Sequence, residues 1–204
     1  MNLPNKLTLS RFLLTVAFLA VLFGSFPYHE TLALLLFSVA SLTDYLDGTI
    51  ARRRKLITNF GILMDPLADK ILVCSAFIAL VEYGRIGTVM NVRVEAWMVV
   101  IIVARELAIT GLRLLAASKN VVLAAEGYGK HKTISQIIAI ISALVLMSYL
   151  QWGAPGKWVF GIYIFGSPWV EWFTQVSIWV AVLLTFVSGW MYLWRNRALY
   201  LQDL

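Results

Sequence analysis

Cysteine is almost absent from this chain, and charge is scarce. Cys74 is the only cysteine among 204 residues and stands in an apolar run, which excludes a disulfide-stapled scaffold. Asp, Glu, Lys and Arg together make up 14% of the residues, where soluble domains carry about 25%. A water-soluble globule is a poor fit to that deficit. What is present instead is apolar: 60% hydrophobic residues and a mean hydropathy of +0.80, too much for a disordered chain. No internal repeat is evident, and nothing marks a second, soluble domain. The class that remains is an all-α integral membrane protein, one domain over residues 1–204. Acids are outnumbered, 11 against 17 Lys and Arg, for a net charge of +6. In a membrane protein such an excess belongs to cytoplasmic loops beside anionic headgroups, so no nucleic-acid partner is implied.

A hydrocarbon core of about 30 Å needs about 20 mostly apolar residues per helix. That ruler predicts six transmembrane helices, near 12–26, 31–46, 60–81, 96–115, 134–149 and 169–194. Residues 1–11 mix Leu3 and Leu7 with Asn5, Lys6, Thr8 and Arg11, as an N-terminal interfacial lead-in helix does. The first apolar run lacks a small-residue cleavage site and reads as a span, not a signal peptide. The aromatic, Gly-rich stretch 153–167 reads as an outside-facing loop or half-buried segment. Lys6, Arg11, Arg52, Arg53, Arg54, Lys55, Arg113, Lys119, Lys130, Lys132, Arg195 and Arg197 fall on one set of connections. By the positive-inside rule that set, with both termini, faces the cytoplasm.

Four aspartates stand where lipid penalises them: Asp44 and Asp47 at the end of the second span, Asp65 and Asp69 in the third. Each costs about 2.5–3.5 kcal/mol at a helix centre on insertion scales, and intramembrane acids mark function by default. Asp44, Asp47, Gly48 and Ala51 share one helical face, as do Gly61, Asp65 and Asp69. Two antiparallel helices can therefore turn four carboxylates toward each other near the cytoplasmic surface. Unneutralised, such charges repel and some protonate. Lys70 is next to Asp69 and is expected to point elsewhere, which leaves a hard divalent cation, Mg²⁺ or else Mn²⁺, as the counter-charge. Gly48, Gly61 and Ala51 permit close approach of a ligand, and Pro66 is expected to loosen its turn.

Together Asp44, Asp47, Gly48, Ala51, Arg52, Gly61, Asp65 and Asp69 spell D-x2-D-G-x2-A-R-x8-G-x3-D-x3-D. This resembles the signature of the CDP-alcohol phosphatidyltransferase family. The resemblance implies a homodimeric enzyme of the cell (inner) membrane, with its active site on the cytoplasmic side. Such an enzyme joins an alcohol to the phosphatidyl group of a CDP-linked lipid and releases CMP. It further implies Asp44, Asp47 and Asp65 as metal ligands, Asp69 near a second metal position and as general base, and two ions in all. Asn5, Thr8, Gly48, Ala51, Arg52, Thr58 and Gly61 are the CDP-lipid contacts carried over from the family. The guanidinium of Arg52 suits a pyrophosphate because it donates paired bonds.

A second basic group lies toward the same side. Arg105 sits inside the fourth span, Arg113 follows eight residues later, and Lys130 and Lys132 precede the fifth span. An intramembrane arginine needs an acid or an aqueous cavity. Glu106 is adjacent in sequence and on another face, so the acid is expected from elsewhere. Arg105, Arg113, Lys130 and Lys132, with a hydrogen bond from Thr110 or Thr133, read as a receptor for a phosphate on the alcohol. The segments VARELAITGLR (103–113) and GKHKT (129–133) resemble the glycerol-phosphate-using branch of the family. That implies sn-glycerol 3-phosphate as acceptor beside CDP-diacylglycerol, with phosphatidylglycerophosphate as product. Inositol phosphate calls for much the same cations, and serine or phosphatidylglycerol are acceptors of sister enzymes. A cation transporter is the reading from another class, disfavoured because arginines beside the acids repel a passing cation.

Overall fold

The computed structural model describes residues 3–54, 59–119 and 128–201, with side chains over 9–43, 70–119, 131–197 and 199–200. Helix α1 spans Leu3–Leu22, α2 His29–Arg54, α3 Asn59–Tyr83, α4 Ala96–Ser118, α5 Tyr128–Ser148 and α7 Trp169–Arg195. Each contains most of one stretch that hydropathy marks as a span. Between α5 and α7 a 3₁₀ turn (Tyr149–Trp152), a short helix α6 (Gly153–Phe160) and the strands β1 (Tyr163–Ile164) and β2 (Ser167–Pro168) double back on themselves. At eight residues α6 is far too short to cross a bilayer. A last turn, α8, covers Ala198–Leu201.

Over its described residues the lead-in is continuous with the first predicted span and not a separate helix, since α1 is unbroken from Leu3 to Leu22. Pro4 occupies its first turn, where a missing N–H is harmless, and no glycine or proline follows before Gly24. Helix α3 likewise continues through Pro66.

Turn chemistry sets the ends. Gly84, with φ +67°, closes α3 as its N–H bonds the Val81 carbonyl at 3.0 Å, a conformation that glycine adopts without a Cβ penalty. Phe165 and Gly166, both at positive φ, form the two-residue turn that matches the twist of the β1–β2 hairpin. The loop between α3 and α4 is tied from within. The Glu171 carboxylate, fully buried in the first turn of α7, accepts the backbone N–H groups of Thr88 (2.7 Å), Val89 (3.0 Å) and Met90 (2.5 Å), and the Thr88 hydroxyl (2.6 Å).

Packing is that of a protein adapted to lipid. Helix α5 lies along α7 and against α2; α1 packs on α2 and α3, and α4 on α7. Fully buried alanines, Ala33, Ala40, Ala76, Ala139, Ala143 and Ala181, let backbones approach closely, as helices in membranes require. Phe18 and Phe37 fill the α1–α2 seam with ring centroids 5.6 Å apart. Outward the surface is apolar: Leu13, Val16, Val100, Leu107 and Trp190 are all more than half exposed, an arrangement soluble monomers avoid over large areas. Inward it is locally polar, with Glu106, Lys132, Gln136, Thr174 and Thr185 buried. Among the described residues two helical stretches, His131–Phe160 and Trp169–Arg195, are long and apolar enough to cross a membrane.

Candidate active site at the α4, α5 and α7 junction

Helix α2 is unbroken through Asp44, Asp47, Gly48, Ala51 and Arg52, and α3 through Gly61, Asp65 and Asp69. The three- and four-residue spacings of the aspartates are thus helical spacings, and the donor set is carboxylate oxygen throughout, which fits a hard divalent ion. The side chains of these eight residues lie outside the described ones, as do those of Asn5, Thr8 and Lys130, and Thr58 lies outside altogether. Among the described residues no three His, Cys, Asp or Glu side chains gather in one place.

The second basic group is described in detail. Glu106, on the buried face of α4, accepts hydrogen bonds at Oε1 from Lys132 Nζ of α5 and from Arg105 Nη1 at 3.3 Å. The Lys132 and Glu106 side chains are each 6% exposed and that of Arg105 13%. The acid that pairs with Arg105 is therefore its own neighbour in sequence, contrary to the expectation from helical faces. Adjacent Cβ atoms diverge by about 100°, but the guanidinium stands far enough out on its stem to swing back over the next residue.

Helix α7 forms the back wall. Arg105 Nη2 donates to Ser188 Oγ at 3.4 Å, and its stem lies over Gly189, where a side chain would collide with it. Arg105 Nε is buried without a hydrogen-bond partner among the described residues. Arg113 is the exposed member: its Nε donates to the Tyr192 hydroxyl at 3.4 Å, and its guanidinium stands 5.7 Å from the Tyr192 ring centroid. Gln136, one turn beyond Lys132, donates to Thr185 Oγ1 at 2.9 Å and pins α5 to the same wall. Thr110 donates its hydroxyl proton to the Glu106 carbonyl at 2.7 Å and accepts from Lys70 Nζ, which reaches across from α3.

The structure thus brings Arg105, Thr110 and Lys132 together around Glu106, with Arg113 two turns farther along α4. Sequence reasoning missed Glu106 as their partner, and missed Thr185, Ser188, Gly189 and Tyr192. A signal for the second group was available. Those four recur at i, i+3, i+4 and i+7 on the last span, a small and polar stripe on one helical face.

Chemically the junction is, among the described residues, a pair of nearly buried cations around the Glu106 carboxylate, with the exposed Arg113 beyond them. Arginine and lysine heads are the side chains suited to phosphate oxygens. The profile of the CDP-alcohol phosphatidyltransferase family matches residues 1–187. A Bacillus subtilis (strain 168) protein named CDP-diacylglycerol--glycerol-3-phosphate 3-phosphatidyltransferase is 40% identical over 207 residues, covering 96% of this chain and 95% of its own. Relatives with the same name are 32% identical in Rickettsia bellii (94% and 93% covered) and 30% identical in Cereibacter sphaeroides (99% and 98% covered). With a family profile over most of its length and full-length relatives above the level at which folds diverge, the chain belongs to the CDP-alcohol phosphatidyltransferase family.

Proposed function

We propose that the chain transfers the phosphatidyl group of CDP-diacylglycerol to sn-glycerol 3-phosphate, giving phosphatidylglycerophosphate and CMP. The observation that carries the choice of acceptor is the convergence of Arg105 and Lys132 on one site, with Arg113 beside it. A phosphorylated alcohol needs such cations, and serine does not. The names of the full-length relatives support the same choice.

Asp44, Asp47, Asp65 and Asp69 would hold Mg²⁺ or Mn²⁺, two ions in this reading. When bound, such ions neutralise the pyrophosphate and the departing CMP. Arg52, with Asn5, Thr8, Gly48, Ala51, Thr58 and Gly61, binds and orients the nucleotide. Asp69 takes the proton from the acceptor hydroxyl. The hydroxyl oxygen forms a bond to the phosphatidyl phosphorus, the bond from that phosphorus to the CMP oxygen breaks, and CMP leaves with the electron pair. Arg105, Thr110, Arg113, Lys130 and Lys132 hold the acceptor's own phosphate so that its hydroxyl is in line, and positioning is much of the catalysis.

In this reading the protein crosses the cell membrane six times, through α1–α5 and α7, with both termini and the active site on the cytoplasmic side. Basic residues at those helix ends support the orientation. It works as a homodimer, as the family resemblance implies. The test is CMP release by the purified protein with CDP-diacylglycerol and Mg²⁺ across a panel of alcohols. Release with sn-glycerol 3-phosphate is expected; release only with inositol phosphate, serine or phosphatidylglycerol reassigns the acceptor.

A further inference from the structure

The β1–β2 hairpin carries a residue where turn chemistry disfavours it. A two-residue turn with both φ values positive takes Asn-Gly or Asp-Gly by preference. Here it is Phe165-Gly166, at φ +51° and +83°. A bulky aromatic in that conformation is an outlier, and Phe165 is 91% exposed, so packing within the fold does not offset the strain. Trp158 is 80% exposed, and Ile162 and Tyr163 are more than half exposed. Between Lys157 and Glu171 no residue carries a charge. Facing water, this would be an aromatic patch of the kind soluble surfaces avoid.

The segment is mounted firmly on the start of α7. The Trp169 backbone N–H donates to the Ile162 carbonyl at 2.9 Å. The indole Nε1 groups of Trp169 and Trp172 donate to the carbonyls of Val159 (2.7 Å) and Ile164 (3.1 Å). From there an exposed apolar surface runs on down α7 through Phe173, Val176, Val180 and Leu183 with no charged residue between them. Trp172 and the exposed Trp194 stand 22 residues apart on this helix, about 33 Å at the helical rise, enough to bracket a hydrocarbon core of about 30 Å. With Trp194 and Arg195 at one interface, Trp172 and the hairpin come level with the other. Indole and phenol rings favour that depth, and Lys157, exposed beside Trp158, can lay its stem on apolar surface and raise its charge to lipid phosphates.

We propose that residues 158–165 form a membrane anchor, with the rings of Trp158, Tyr163 and Phe165 seated among the phospholipid headgroups and upper acyl chains of the leaflet opposite the cation cluster. The anchor sets the depth of α7, whose other end forms the wall behind Arg105. A lipid interface and not a second copy of the chain is the occupant, because the exposed rings continue the outward apolar face of α7. This rests on the reading of α7 as a membrane span.

The test puts an NBD fluorophore on Ile162→Cys and, separately, on Leu183→Cys in the middle of α7. Both are made in the full-length Cys74→Ala protein, held in nanodiscs of phosphatidylcholine and phosphatidylglycerol so that solution reaches both faces. The Ile162→Cys label is expected to be quenched by lipids brominated high on the acyl chain at least about twice as strongly as by aqueous iodide. The Leu183→Cys label should respond best to bromines deep in the chain. Phe165→Asp keeps the turn, because Asp tolerates positive φ, and replaces the ring by a charge. It is expected to cut bromolipid quenching at the Ile162→Cys label at least about twofold and to raise iodide quenching. A label at that site reached by iodide and not by bromolipid places the hairpin in water and overturns the proposal. A label reached by neither quencher until the protein is diluted in lipid means that a second copy covers it, which also overturns the proposal, as does quenching unmoved by Phe165→Asp. The Leu183→Cys label separates the two levels. If it too is open to iodide, the span itself is misplaced and the anchor falls with it. If it is shielded while the Ile162→Cys label is not, only the anchor falls.

Discussion

Arg105 of α4 crosses Gly189 of α7 so closely that a Cβ on the glycine would sit 2.6 Å from the arginine Cγ. No ordinary side-chain contact is that short, and the atom in the way is the middle of a stem fastened at its far end to Glu106 and Ser188. Gly189→Ala is therefore expected to push Arg105 aside without changing any charge. The acceptor KM should rise between about threefold and tenfold, less than the roughly hundredfold that a full 1 Å misplacement can cost. Kinetics with sn-glycerol 3-phosphate as the varied substrate check this, and an unchanged KM would mean that Arg105 does not need its present seat.

Arg113 is the cation of this group with exposure to spare, held at 3.4 Å by the Tyr192 hydroxyl and stacked over its ring. Arg113→Ala is expected to raise the acceptor requirement far more than that for the CDP-lipid. Tyr192→Phe keeps the ring and loses only the oxygen, so its effect should be several times smaller. Comparable losses in both substrates for Arg113→Ala would point to misfolding.

Asp69→Asn replaces a proton acceptor by an amide of the same shape. Turnover should fall to background while the CDP-lipid still binds, measured as CMP release beside equilibrium binding of CDP-diacylglycerol. Loss of turnover on chelation, restored by Mg²⁺ or Mn²⁺, is the companion expectation for the carboxylate set. Full activity of the Asn variant would remove Asp69 as the base.

Glu171 offers a contrast at the opposite end of α7. Its carboxylate gathers three successive backbone N–H groups and a hydroxyl from the α3–α4 loop. Glu171→Gln leaves one of those donors facing an amide NH₂ and is expected to cost about 2–4 kcal/mol, since hydrogen bonds to a charged group contribute about 1.5–3 each. Thermal unfolding in detergent should show the loss, and amide exchange at 88–90 should quicken. The KM values should hold, because this loop is remote from the cation cluster; a selective rise in acceptor KM would contradict that separation.

Much of the helical plan was legible beforehand because it depends on local quantities. Apolar runs near the length of a bilayer, broken by Gly24, Pro27 and Gly84, correspond to α1 through α5 and α7. The lead-in runs into the first predicted span without a break, because polarity changes at Arg11 whereas helicity does not: a sequence boundary in polarity need not be a boundary in backbone conformation. Arg105 was marked correctly as a residue needing an acid, yet its acid was sought elsewhere, since face arguments follow Cβ directions and ignore how far a guanidinium can swing.

What the chain decides by its own order of residues is the helical membrane class and the spacing of its acids, because both follow from hydropathy and from the 3.6-residue period of a single helix. The junction of α4, α5 and α7 is another matter. Glu106 and Lys132 are 26 residues apart, and Arg105 and Ser188 are 83 apart. Periodicity says which face of each helix is polar but not which faces meet. That choice belongs to packing, where small residues such as Gly189 and Ala181 let the helices close until buried charges find their partners.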